Sequence, residues 1–229
     1  MKRALELVGL VGLVGLVASA TPARASTCAI PAPRWSPSGG AVPPRPTLYW
    51  FGYLQRVPPR VRVLGARGPV PITLRKLRGS HALVYALDIA AERGPLRLEV
   101  DGRVVARYRI ARPAPAPSPR LIDIGTWDAL PAGTGHAVTY ALAAPAAAAV
   151  VVRWADGVSI TLAPERDAPP PPDGRVVIAI GSGCVTDPAP DDHLGRPVAG
   201  LDVLYADGTD HAVDVPPWWW APGWWGSAP

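Results

Sequence analysis

From about residue 44 onward, apolar and polar positions alternate with a period of two, the pattern of β-strands with one buried and one wet face. In LRLEV, Leu96, Leu98 and Val100 fall on one side while Arg97 and Glu99 fall on the other. Three alternating runs are interrupted by Asp-Gly, at Asp101-Gly102, Asp156-Gly157 and Asp207-Gly208. That dipeptide between apolar runs predicts two-residue type I′ hairpins, which need positive φ at both central residues. TLYWFGY, RVRVLG, PITLRKL and HALVYALDI predict further strands, so residues 44–112 hold about six.

The stretch from Ala129 to Val152 is uncharged and alanine-rich, and two readings compete for it. Pro145 favours two strands, HAVTYALA and AAVVVRWA, around a turn; a single helix is the alternative. The weak hydropathy of alanine and the presence of His136 argue against a membrane span. The predicted fold is all-β, with two tandem Ig-like or fibronectin-like β-sandwich domains joined by a Pro-rich linker. Strand order, and a barrel as the alternative, stay open.

Proline marks the joints. The expected organisation is a signal peptide over 1–25, a Pro-rich arm over 26–43 and a basic sandwich over 44–112. A Pro/Ala linker over 113–119, an acidic β-rich domain over 120–214 and a Trp/Pro-rich tail over 215–229 follow.

SPSGGAVPPRPTL, from Ser36 to Leu48, followed by RVRVLGARGPVPITL and LRLEVDG, resembles bacterial Ig-like domains of the S-layer type. The resemblance covers residues 36–110 and implies a surface or spacer architecture with no shared catalytic residues. The chain departs from that family where Trp50, Phe51, Gly52 and Tyr53 replace an acidic Phe-Ser-Glu-Pro-like segment.

The chain opens with Lys2 and Arg3, then the apolar run Leu7–Ala20, then small-x-small sites at Ala18-Ser19-Ala20 and Ala23-Arg24-Ala25. This is the layout of a secretory signal. Cleavage at the second site leaves Ser26 as the first residue. The run is too short and glycine-rich for a spanning helix, so no transmembrane helix is expected after cleavage. Thr27 directly before Cys28, and Ala25 three places before it, argue against a lipid-bearing cysteine. The two cysteines, Cys28 and Cys184, suit a disulfide in an oxidising compartment; two free thiols are the alternative. The expected location is periplasm, cell surface or medium.

Charge divides the chain. Residues 44–112 carry 14 basic and 4 acidic side chains, a net of +10, whereas residues 113–229 carry 5 and 13, a net of −8. Alternation puts Arg60, Arg62, Arg75, Arg97, Arg107 and Arg109 on solvent faces, as an anion-binding patch. Its partner would be an acidic envelope polymer, a lipid headgroup or an acidic protein; no nucleic acid is expected. Two other readings stand beside it. Arg outnumbers Lys 21 to 2 and Asn is absent, the marks of a GC-rich coding sequence, and one reading is that composition alone supplies the arginines. The basic unit would otherwise dock on the acidic one, within a chain or between chains as self-association.

The tail PPWWWAPGWW holds Trp218, Trp219, Trp220, Trp224 and Trp225, whose indoles suit sugar rings or a membrane interface. It carries no charged side chain. No catalytic constellation meets the geometry that chemistry requires. Asp191-Asp192-His193 lacks a second ligand cluster at a recognised spacing, Asp210-His211 flanks a hairpin turn, and Gly181-Ser182-Gly183-Cys184 is not a nucleophile elbow. No cofactor or metal is expected. The leading expectation is a noncatalytic binding or structural module of the bacterial envelope. The alternatives are a secreted hydrolase or carbohydrate-active protein using the second domain, and a surface protein that self-assembles through opposite charges.

Overall fold

The computed structural model describes residues 33–53, 60–79, 82–112, 118–127, 137–164, 174–181 and 198–216. Among these there are strands and turns only, so the alanine-rich stretch is β-structure where it is described. The first unit contains β1 (Arg34–Ser36), β2 (Gly40–Val42), β3 (Thr47–Tyr53), β4 (Val61–Gly65) and β5 (Gly68–Val70). It continues with β6 (Ile72–Leu77), β7 (Ala82–Ile89), β8 (Pro95–Val100) and β9 (Arg103–Ile110). Four strands pair in the order β1-β3-β7-β6 and five in the order β2-β9-β8-β4-β5, with β2 parallel to β9.

The two sheets close over a core of Trp35, Leu48, Trp50, Val63, Leu87, Leu96, Leu98 and Tyr108. Two of the strands, β1 and β2, come from the stretch expected as an arm. Proline limits each to three residues, yet each supplies a buried apolar side chain, Trp35 and Val42. The Tyr108 hydroxyl donates to the carbonyl of Pro37 at 2.8 Å and fastens the link between them to the core.

In the second unit, β10 (Arg120–Trp127), β11 (Ala137–Ala143) and β14 (Arg175–Gly181) form a three-stranded sheet. Facing it is a four-stranded sheet in the order β13-β12-β15-β16, built from β12 (Ala147–Trp154), β13 (Ser159–Leu162), β15 (Val198–Tyr205) and β16 (Asp210–Asp214). Tyr140, Leu142, Val150, Val152, Ile160, Ile178, Leu201 and Val203 fill the space between.

The hairpins differ from expectation in one respect. Asp101 (φ 49°) and Gly102 (φ 79°) both adopt positive φ, as a type I′ turn requires. At the other two sites only Gly157 (φ 84°) and Gly208 (φ 82°) do so. There, the Gly157 amide donates to the Trp154 carbonyl and the Gly208 amide to the Tyr205 carbonyl. The loops are therefore three residues long, a turn followed by a left-handed glycine. The carboxylates of Asp156 and Asp207 lock them by accepting the amides of Val158 and Thr209. This side-chain bond supplies an alternative to positive φ at the aspartate.

The units meet through an apolar junction. Tyr49, Phe51, Val84 and Ala86, on the outer face of the β1-β3-β7-β6 sheet, pack against Ala148, Ala149 and Ala163, with Leu77 and Leu204 at the margin. The Thr47 amide donates to the Ala206 carbonyl, and the Thr161 amide to the Arg78 carbonyl, each at 2.7 Å. These two threonines are the buried polar residues among those described. Strand β3 is thus buried on both faces, with Leu48 and Trp50 inward and Tyr49 and Phe51 toward the partner unit. Burial of an aromatic side chain of this size stabilises by about 1.5–3 kcal/mol.

Candidate interaction surface

The outer face of the five-stranded sheet points away from the second unit, because the junction uses the other sheet of the first unit. Register fixes which side chains share this face. Arg97 on β8 stands directly opposite Arg107 on β9, and Arg109 follows two residues on, opposite Pro95. Arg62 on β4 stands opposite Glu99. Arg62, Arg97, Arg107 and Arg109 are all exposed, and no ion pair is found for them among the described residues. Like charges directly opposite one another on a sheet are destabilising. The pair persists because water solvates both guanidinium groups.

Apolar side chains adjoin them. Val104 pairs with Glu99 and is 42% exposed, and its neighbour Val105 is 48% exposed beside a register shift between Leu98 and Glu99. Arg60 is exposed just before β4, where its carbonyl accepts the Asp101 amide.

Arg75 is placed apart from the other five. It is exposed, but it lies on β6, on the sheet that carries the junction. Its guanidinium forks onto Asp88, with Nε donating to Oδ2 at 2.7 Å and Nη2 to Oδ1 at 3.3 Å. The hydrogen bond from Arg75 holds the Asp88 carboxyl below the usual range. Burial opposes this shift, and the Thr47 hydroxyl, donating at 2.9 Å, reinforces it. Nearby, burial pushes the Tyr49 hydroxyl up to about 12; the Arg75 charge pulls it back, while Asp88, Asp207 and Asp210 push it further. Alternation identified Arg75 as outward-facing but carried no information on which sheet it joined or what lay above it.

A cleft of about 310 Å³ opens between β1 and the bulged part of β9. Trp35, Trp50, Val100 and Val105 line it, with Arg34 and Asp101 supplying charge. The indoles pack against each other at 6.4 Å and are only 8% and 3% exposed, so they offer the cleft little stacking area.

Cys28, Cys184, Asp191, Asp192, His193, Ser182 and the five tail tryptophans, Trp218, Trp219, Trp220, Trp224 and Trp225, lie outside the described residues. Asp210 and His211 are exposed on β16, with the imidazole edge-on to Tyr205 at 5.5 Å. Among the described residues, no group of three His, Cys, Asp or Glu side chains is placed to hold a metal ion, and no helix is long and apolar enough to cross a membrane.

No family model and no curated protein matches the chain. Among solved structures, it is similar to one described as a "Biofilm associated protein - BSP domain", at 13% identity and a TM-score of 0.24. The alignment covers 86% of this chain and 30% of that one, so the chain spans about 30% of its length. A TM-score this low carries no argument about fold or function.

Proposed function

We propose that the protein is a noncatalytic, exported module of a bacterial cell envelope whose first unit attaches to an acidic partner. The observation that carries this reading is the solvent-facing cluster of Arg97, Arg107 and Arg109, two of them directly opposed, on a face that the second unit leaves uncovered. Because the contact between units is apolar and uses the other sheet, it leaves this basic surface available. The strand orders support the finer fold reading. In the first unit, β1-β3-β7-β6 and β9-β8-β4-β5 follow the order of an immunoglobulin sandwich with an added edge strand, and β2 extends the second sheet. A three-on-four sandwich in the second unit suits the fibronectin-like alternative.

The test is binding of the chain beginning at Ser26 to isolated envelope material across a salt series. Binding that weakens steeply as salt rises supports a charged attachment face. Salt-independent binding, or none, overturns it.

A further inference from the structure

Resting on that reading, we propose that the acidic partner is an anionic phospholipid surface, against which the outer face of the five-stranded sheet lies flat. Three properties of the face point to this partner rather than to an acidic sugar chain or a peptide.

The charge is compact. Arg97 and Arg107 are cross-strand partners, with Cβ atoms about 5 Å apart in such a pair. Arg109 stands about 7 Å further along the same strand and face. Glu99 lies opposite Arg62 and offsets the charge at that end, so three unpaired guanidinium groups dominate the other. A guanidinium fork matches phosphate oxygens two at a time, and adjacent headgroups in a bilayer present such oxygens as a dense layer.

The charge is also mixed with apolar surface. Val104 is exposed on the row beside the arginines, and Pro69, Pro95 and Ala41 are exposed in the same sheet. Such side chains gain nothing from a hydrated polyanion but gain from the headgroup–acyl boundary.

Finally, the arginines stand on the open surface of the sheet, outside the described cleft. The cleft of the first unit lies at its edge, between β1 and β9, and Arg97, Arg107 and Arg109 do not line it. An extended partner surface can reach all three at once.

The test uses the chain beginning at Ser26, which retains every described residue and omits the apolar run Leu7–Ala20. Co-sedimentation is measured with vesicles of phosphatidylcholine alone and of phosphatidylcholine mixed with phosphatidylglycerol, and binding to soluble polygalacturonate is measured in parallel. The expected result is binding to the mixed vesicles, none to phosphatidylcholine alone, and weakening with salt. The R97Q/R107Q variant, checked for native circular dichroism, should bind about 30-fold more weakly, which corresponds to about 1 kcal/mol per arginine. V104S should also bind more weakly while leaving the salt dependence unchanged. Binding to polygalacturonate but not to mixed vesicles overturns the phospholipid assignment and leaves the acidic-partner reading standing. Binding to neither also overturns the phospholipid assignment, and the acidic-partner reading falls with it only when isolated envelope material is not bound either. Vesicle binding that R97Q/R107Q leaves at the wild-type level places membrane contact elsewhere, such as the tryptophan-rich tail, and overturns the proposal for this face.

Discussion

The backbone amide of Thr47 donates to the carbonyl of Ala206 at 2.7 Å, bonding the first residue of β3 to the hairpin turn that links β15 to β16. With the Thr161–Arg78 bond, it pins the junction at two separate places around an apolar contact. The two units consequently share buried surface and should unfold with coupled stability.

Ala149→Leu tests that coupling. Ala149 is fully buried against the first unit, so added methylenes force the sheets apart at a cost of about 1–3 kcal/mol. Calorimetry should show one transition for the wild type and a lower, broadened or split transition for the variant. An unchanged melting profile would refute the packed junction.

Gly52→Ala probes the other face of β3. A Cβ at residue 52 would lie 1.9 Å from the Trp50 ring, which packs against Trp35 at 6.4 Å and Tyr85 at 6.0 Å. Because the indole must leave these ring contacts to make room, the substitution should cost about 1–3 kcal/mol. It should also shift tryptophan emission toward the red, a readout independent of the denaturation curve.

Tyr140→Phe should raise stability by about 1 kcal/mol. The Tyr140 hydroxyl is buried and lacks a hydrogen-bond partner among the described residues, and burial pushes its pKa well above the ordinary tyrosine value. Removing an unsatisfied polar atom recovers part of its desolvation cost. Urea denaturation measures the change, and a loss of stability would show that the hydroxyl has a partner.

Acid should weaken the Arg75–Asp88 contact. The folded-state pKa of Asp88 lies below its unfolded value, so the stabilisation is present above the unfolded pKa of about 4 and disappears as pH falls through the folded value. The two side chains are 55% and 37% exposed, which limits the effect to about 0.2–1 kcal/mol. Asp88→Asn should therefore lose less stability than the wild type between about pH 5 and pH 2. Equal losses would remove Asp88 from the acid response.

Alternation made the strands legible because a strand with one wet face repeats every two residues, as Leu96, Leu98 and their charged neighbours do. It was blind to β1 and β2, three residues each and flanked by proline, where a single buried Trp35 or Val42 gives no period to read. The surface arginines followed from the same alternation, but their division between two sheets is a matter of topology, and so Arg75 was grouped with residues it does not join. Charge drew attention to electrostatic docking, whereas the junction is apolar. Its signal was present in Leu48-Tyr49-Trp50-Phe51 and Ala147–Val152, runs with no polar position in the alternation, which is how a strand buried on both faces reads.

At the junction, Ala148, Ala149 and Ala163 offer the aromatic side chains of β3 nothing larger than a methyl group. Such a surface works as a spacing gauge, since any larger residue on one side demands a smaller one on the other. Recombination that exchanged either unit alone would break this match. The two units are therefore matched in shape as well as joined in sequence.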